Sequence, residues 1–225
     1  MGKVVICIGT IGSSTFPRCK KLVDNIARAD RRVGGVVIIK DKKPQSEWLN
    51  SMRIASSGFK WCLQIDEDMY LYPNALSELL RFAGKREKQG VKILNASSLL
   101  YDLFLKSKVG SLKLWSVDPL QRLEFRDVLG GDRDYAKRAT KLGYKNIEIK
   151  KVLGEHDSAP TPEVAFKKYF EYTQKLRKFS NDKSAKRFNE YLRKKYLKEK
   201  TQINKKAYDG STLGLKKELR DKSKS

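Results

Sequence analysis

Three unbroken apolar runs, KVVICI (3–8), VGGVVIIK (33–40) and WCLQID (61–66), recur about thirty residues apart. A strand with one wet face alternates apolar and polar residues, so a strand apolar throughout is covered on both sides. Two segments of helical spacing separate the runs. FPRCKKLVDNIARA (16–29) carries Pro17 in its first turn, where the missing N–H is tolerated. EWLNSMRIASS follows Ser46, a capping residue type, and is stopped by Gly58. PNALSELLRFAG (73–84) adds a third helix, opened by proline. The alternation predicts an α/β fold: a mostly parallel, Rossmann-like central sheet flanked by helices.

The pattern loosens after residue 90. VKILNASSLLYDLFL (91–105) and SLKLWSV (111–117) read as strands of antiparallel type, GGDRDYAKRATKLGYK (130–145) as loop and helix closed by Gly143, and NIEIKKVL (146–153) as a further strand. From Thr161 the chain turns helical. Phe166, Tyr169, Phe170, Thr173, Leu176 and Phe179 form one stripe at 3, 4 spacing, and Phe188, Tyr191 and Leu192 form another. The expected organisation is a core over 1–160, amphipathic C-terminal helices packed on it over 161–200, and a polar, basic tail or linker over 201–225.

Charge narrows the partners. The 49 Lys and Arg outnumber the 26 Asp and Glu, a formal +23, which favours polyanions or phosphorylated ligands. The surplus is concentrated in the helical C-terminal part, where a solvated helix face is the simpler reading and contact with an anionic membrane surface the sharper one. No aromatic-interleaved basic strand marks a specific nucleic-acid reader. No run reaches the roughly 18 apolar residues of a membrane span, and the N-terminal apolar stretch is too short for a secretory signal. Cys7, Cys19 and Cys62 show neither zinc spacing nor an even disulfide framework, which suits a reducing, cytoplasmic setting.

The third run ends in Asp66, Glu67 and Asp68. An acidic triplet by itself is a solvated turn. Its position matters here, because open α/β sheets bind ligands beyond the carboxyl ends of their strands. Those ends carry Thr10–Ser14, Asp41 and the triplet. In an extended segment Asp66 and Asp68 point the same way, and converging carboxylates repel unless a cation sits with them. Hard oxygen ligands suit Mg²⁺ or Mn²⁺, completed by water and a diphosphate.

WCLQIDEDMYLYPNAL resembles the strand–Asp-x-Asp–Pro–helix segment of A-type-fold, family-two-like nucleotide-sugar glycosyltransferases, and GGDRDYAKRATKLGYK is similar to a second stretch of that family. The resemblance spans about residues 3–160 and implies a metal-dependent, inverting transfer from a nucleoside diphosphate sugar, UDP-sugar favoured, to a glycan or glycoprotein hydroxyl. It implies Thr10, Asp41 and Arg53 at the nucleotide, Asp66 at the ribose or metal, and Asp68 on the metal. His156, the single histidine, joins as a late metal ligand. Asp132 is the first choice for the catalytic base and Asp134 the second. Gly131 departs from the pattern, since many relatives carry Glu there. Further domains of a longer chain are part of the expectation. The rival readings are a sugar-nucleotide pyrophosphorylase and a basic nucleic-acid-binding module.

Overall fold

The computed structural model describes residues 3–217. The chain divides into two compact units between Asp157 and Ser158. In the first, the elements run β1 (Val4–Thr10), α1 (Phe16–Ala29), β2 (Val33–Lys40), α2 (Gln45–Ala55), β3 (Trp61–Asp66), β4 (Met69–Leu71), α3 (Ala75–Lys88), β5 (Ile93–Asp102), β6 (Ser107–Ser116), α4 (Val117–Arg122), α5 (Gly131–Lys141) and β7 (Lys145–His156).

The seven strands form one sheet in the order β2-β1-β3-β6-β5-β7-β4. The pairs β1–β2, β1–β3 and β5–β7 are parallel. The pairs β3–β6, β5–β6 and β4–β7 are antiparallel. The sheet is therefore mixed, with β5 and β6 as the hairpin the sequence suggests. Only the two residues Glu67 and Asp68 link β3 to β4, although β4 is four places away in the sheet. Two residues reach about 7 Å, so the sheet curls until its far edge returns beside the carboxyl end of β3.

Both faces are covered, as the unbroken apolar runs require. On one face Ile6, Ile8, Leu63 and Ile65 pack with Cys19 and Val23 of α1 and Leu76 and Leu79 of α3. On the other Cys7, Cys62 and Trp115 pack with Trp48 and Met52 of α2 and Tyr135 of α5. Burying each large apolar side chain contributes about 1.5–3 kcal/mol. Phe125 stacks on Tyr135 with centroids 4.0 Å apart, and Trp115 meets both rings edge-on. The aromatic block fixes the start of α5 against β6.

Several boundaries differ from the sequence reading. Helix α2 starts at Gln45 behind Pro44, and Ser46 lies inside its first turn rather than at the cap. Strand β4 and helix α4 are additions, and β7 continues past Leu153 to His156.

The second unit contains α6 (Pro162–Phe179), α7 (Asp182–Glu199) and α8 (Gln202–Lys216). Each is capped by a side chain: Thr161 accepts from the Val164 amide, Asn181 from Ser184 and Thr201 from Asn204. Helix α8 replaces the polar tail expected from residue 201, and residues 218–225 of that tail lie outside the described residues. The reason is small-residue packing. Gly210 and Gly214 of α8 face the backbone of α6, where an added Cβ would run into the carbonyl oxygens of Phe166 and Phe170. At that approach Thr173 and Ser211 are hydrogen-bonded at 2.8 Å, and Gln174 Nε2 donates to the Gly214 carbonyl at 2.8 Å.

Candidate active site

The ends of β1, β2 and β3 lie side by side, because Thr10 pairs with Lys40 and Gly9 with Asp66. The Asp41 amide donates to the Thr10 carbonyl at 2.9 Å, and Asp41 takes the left-handed conformation, φ 52°, that lets β2 turn away there. Its side chain is exposed.

Thr10 is only 6% exposed. Its hydroxyl donates to Glu67 Oε2 and accepts the Gly12 amide at 2.9 Å. Glu67 Oε2 also accepts the Ser13 amide at 3.1 Å. Glu67, to which the sequence reading gave no role, thus ties the first loop to the third strand. Thr10 shapes that loop through its hydroxyl.

Asp66 is the last residue of β3, and strand alternation stops there because Glu67 and Asp68 form a turn. The backbone of Asp68 continues into the β4–β7 ladder: its carbonyl accepts the Asp157 amide at 2.8 Å, and Met69 pairs with His156. His156 also pairs with Asp102 of β5 on its other side. The imidazole lies between two carboxylates, with Nε2 3.2 Å from Asp68 Oδ2 and Nδ1 3.0 Å from Asp102 Oδ2. Asp102, absent from the sequence-derived candidates, is 1% exposed.

All three acids of the triplet bear on one thiol through their charge. Cys19 of α1 donates to the Asp66 carbonyl at 3.7 Å. Burial pushes that thiol up to about 12, and the charges of Asp68, Asp66 and Glu67 add to the effect in that order. Nearby, Arg18 stacks on Tyr70 at 3.9 Å from the ring centroid and reaches Glu155 at 3.3 Å, while the Tyr70 hydroxyl donates to Asp157 at 3.2 Å.

The expected ligand set Asp66, Asp68 and His156 is brought together only in part. Among the described residues no group of three or more His, Cys, Asp or Glu side chains is arranged to hold a metal. The pair Asp68–His156 does fit one. Adjacent ligands on an octahedral Mg²⁺-sized ion, at about 2.1 Å each, stand about 3 Å apart, close to the 3.2 Å observed. One carboxylate and one imidazole are a donor set that would suit Mn²⁺ or Mg²⁺.

Helix α5 presents two acids, each in an ion pair. Asp132 is half exposed and ion-paired to Lys113 of β6 at 3.1 Å. Lys113 pairs with Gln64, two residues before Asp66, and so places Asp132 next to the end of β3. Asp134 is paired with Arg138 at 2.9 Å, and Arg138 also donates to the Glu124 carbonyl at 2.6 Å. Gly131 has a physical reason for replacing Glu, since a Cβ there would stand 3.0 Å from the Arg126 carbonyl. Arg53 does not join the site. It occupies the last turn of α2, toward the start of β3, with its guanidinium 2.8 Å from Glu124.

A pocket of about 800 Å³ opens at that opposite end of the sheet, lined by Lys60, Lys92, Ile93, Asp118, Arg122 and Tyr144. Its charges are largely satisfied internally: Lys60 pairs with Glu87, Arg122 pairs with Asp118, and Tyr144 donates to Asp118. No described helix is long and apolar enough to cross a membrane.

No protein-family model and no curated protein sequence matches the chain. Solved structures do. A mannosyltransferase from Pyrobaculum calidifontis, in complex with GDP-Man and Mn²⁺, superposes with a TM-score of 0.58 at 14% identity, over 95% of this chain and 69% of that one. Glucosyl-3-phosphoglycerate synthase from Mycobacterium tuberculosis, in complex with Mn²⁺, UDP-Glc and phosphoglyceric acid, gives 0.56 at 12% identity over 79% of each chain. TarS of S. aureus gives 0.50 at 11% identity over 94% of this chain and 91% of that one. Identities this low establish architecture and nothing finer: the chain has the A-type fold of nucleotide-sugar glycosyltransferases.

Proposed function

We propose that the chain is a metal-dependent, inverting glycosyltransferase that moves a hexosyl or deoxyhexosyl group from a nucleoside diphosphate sugar, UDP-sugar favoured, to a hydroxyl of a glycan or glycoprotein. The observation that carries the reading is the Asp68–His156 pair, 3.2 Å apart, standing at the carboxyl edge of an A-type sheet. Asp68 and His156 would hold the ion, with Asp66 at the ion or the donor ribose. A bound Mg²⁺ or Mn²⁺ supplies Lewis-acid stabilisation of the departing diphosphate.

Asp41 and the first loop, kept in shape by Thr10 and Glu67, bind the nucleotide. Arg53 has no part in this scheme, because its guanidinium is engaged with Glu124 at the other end of α2. Asp132 is the base. It takes the proton of the acceptor hydroxyl as that oxygen bonds to the anomeric carbon, on the face opposite the breaking bond to diphosphate. Lys113 holds the carboxylate in position at 3.1 Å. Asp134 is engaged with Arg138 and shapes the helix start.

A thermal-shift screen of nucleotide sugars, each with and without Mn²⁺, tests the reading. A donor raises the melting temperature only when the ion is present, and Asp68→Ala loses that shift. Retention of the full metal-dependent shift by Asp68→Ala overturns it. Synthesis of a nucleotide sugar from a sugar phosphate and a nucleoside triphosphate would replace it with the pyrophosphorylase reading.

A further inference from the structure

Helix α7 carries seven Lys or Arg residues and three acids, and the acids are all engaged. Asp182 pairs with Arg177 of α6 at 3.0 Å, Glu190 with Arg193 at 2.8 Å and Glu199 with Lys195 at 2.9 Å. Lys183, Lys186, Arg187, Lys194 and Lys198 are exposed, and none of them stands in an ion pair with a described residue. The helix is held from its other side. Ala185 and Leu192 are buried, Phe188 meets the Tyr172 ring of α6 at 4.8 Å, and Asn189 donates to Thr212 of α8 at 3.0 Å. At 3.6 residues per turn the five unpaired cations fall on the opposite face, in a row about 22 Å long. Tyr191, 42% exposed, and Leu197, 52% exposed, lie on either side of Lys194. A hollow of about 740 Å³ on this face is lined by Lys183, Lys186, Arg187, Glu190, Tyr191 and Lys194.

A helix face that only meets water gains from acids set three or four residues from its bases. Here Lys183 and Arg187, and again Lys194 and Lys198, are like charges at that spacing, an arrangement that costs stability until an anion meets it. We propose that this face of α7 docks on an anionic lipid bilayer, with the row of cations against the headgroup phosphates and Tyr191 and Leu197 at the headgroup boundary. Clusters of four to eight Lys and Arg on a helix are the pattern that anionic lipids attract.

The margins of the row favour lipid over nucleic acid. Tyrosine and leucine both suit the boundary between headgroups and acyl chains, whereas an exposed leucine finds no partner along a phosphate backbone. The apolar side of α7 is spent on α6 and α8, so the helix does not insert and the attachment is electrostatic. It therefore weakens as salt screens the charges. Each Lys or Arg near an anionic surface strengthens partitioning by about fivefold, and removing three weakens it by about 100-fold. The proposal needs only the second unit and is independent of the metal and donor reading of the first.

Sedimentation of the full chain with vesicles tests it, using phosphatidylcholine alone and phosphatidylcholine mixed with phosphatidylserine, each at low and high salt. The chain is expected to partition onto the mixed vesicles at low salt and to leave them at high salt. Changing Lys183→Gln, Arg187→Gln and Lys194→Gln together is expected to weaken that partitioning about 100-fold. Glutamine is a good helix former and the three positions are exposed, so thermal unfolding stays near wild type. Should the triple variant fail to fold, Arg187→Gln and Lys194→Gln singly, each costing about fivefold, take its place. Lys85→Gln, Lys88→Gln and Lys141→Gln together remove the same charge from exposed positions of the first unit and are expected to leave partitioning within a few-fold of wild type. Failure to bind the mixed vesicles at low salt, equal binding to phosphatidylcholine alone, or an equal loss in the control variant overturns the proposal. Binding of a DNA duplex that the α7 variant loses, with no binding to the mixed vesicles, would overturn it in favour of nucleic acid.

Discussion

Glu67, the first residue past β3, accepts the hydroxyl proton of Thr10, the last residue of β1, and the same carboxylate oxygen accepts the Ser13 amide at 3.1 Å. The middle acid of the triplet is therefore a brace between two strand ends. Glu67→Ala leaves a nearly buried hydroxyl and a loop amide without their acceptor, which costs about 1–3 kcal/mol in urea unfolding. It is also expected to weaken the donor-dependent thermal shift, because the loop it holds is the one proposed to bind the nucleotide. Glu67→Gln offers a carbonyl oxygen at the same place and stays near wild type in both measurements. Equal stability of the alanine variant and wild type would remove the brace.

Gly154 lets β4 lie close against β7 just past Asp68. It lies opposite Leu71 in the β4–β7 ladder, and a Cβ there would stand 2.8 Å from the Tyr70 carbonyl. The strand it would push away begins one residue after Asp68. Gly154→Ala is expected to cost about 1–3 kcal/mol as overpacking and to weaken Mn²⁺ binding together with stability. Gly35→Ala, where the added methyl meets nothing within 4 Å, serves as the control and leaves both unchanged. A Gly154→Ala variant with undiminished Mn²⁺ affinity would separate β4 placement from the site.

What could be read from the residues alone follows from how local each signal is. The strands β1 and β3 declare themselves because a doubly covered strand is apolar at every position, and β2, a partly buried edge strand, declares itself by the same apolar run. The acids at the end of β3 inherit their location from it. Strand β4 has three residues, too few for any period, and its neighbours are the charged turn and a proline. Asp102 carries no signal beside it, because its partner is 54 residues away and is brought in by the parallel β5–β7 ladder. The same holds for Lys113 and Asp132. Helix α8 escapes because its packing face is Ala207, Gly210, Ser211 and Gly214, small residues that no apolar stripe reports. Arg53 is the opposite case. A helix position that resembles a nucleotide contact in sequence lies in the last turn of α2, with its guanidinium 2.8 Å from Glu124.

Asp132 and Asp134 are two residues apart on one helix, and under the proposed mechanism their substitutions are expected to give opposite results. Asp132 is 47% exposed beside Lys113, whereas Asp134 is committed to Arg138. Under the proposed mechanism Asp132→Ala lowers transfer by about 10²–10⁴-fold, the usual worth of a general base, while the donor-dependent thermal shift persists. Asp134→Ala lowers the melting temperature slightly and leaves the per-molecule transfer rate within a few-fold of wild type. Measuring both variants for donor binding and for sugar transfer distinguishes them. Loss of transfer in Asp134→Ala with normal activity in Asp132→Ala would move the base to the second acid.

Cys19 provides a pH-dependent readout of the acidic cluster. Its thiol is pushed from the ordinary 9.0 to about 12, by burial first and then by Asp68, Asp66 and Glu67. Below about pH 9 the thiol is protonated in both folded and unfolded chains, and it contributes no pH dependence. Between about pH 9 and about pH 12 the unfolded chain releases a proton that the folded chain keeps, so folding stability falls as pH rises. Cys19→Ala should flatten that part of the stability profile relative to wild type. All three cysteines are buried, so iodoacetamide at pH 8 is expected to label none of them in the native protein and all of them after unfolding. Rapid native-state labelling of Cys19 at that pH would mean that the thiol is not enclosed.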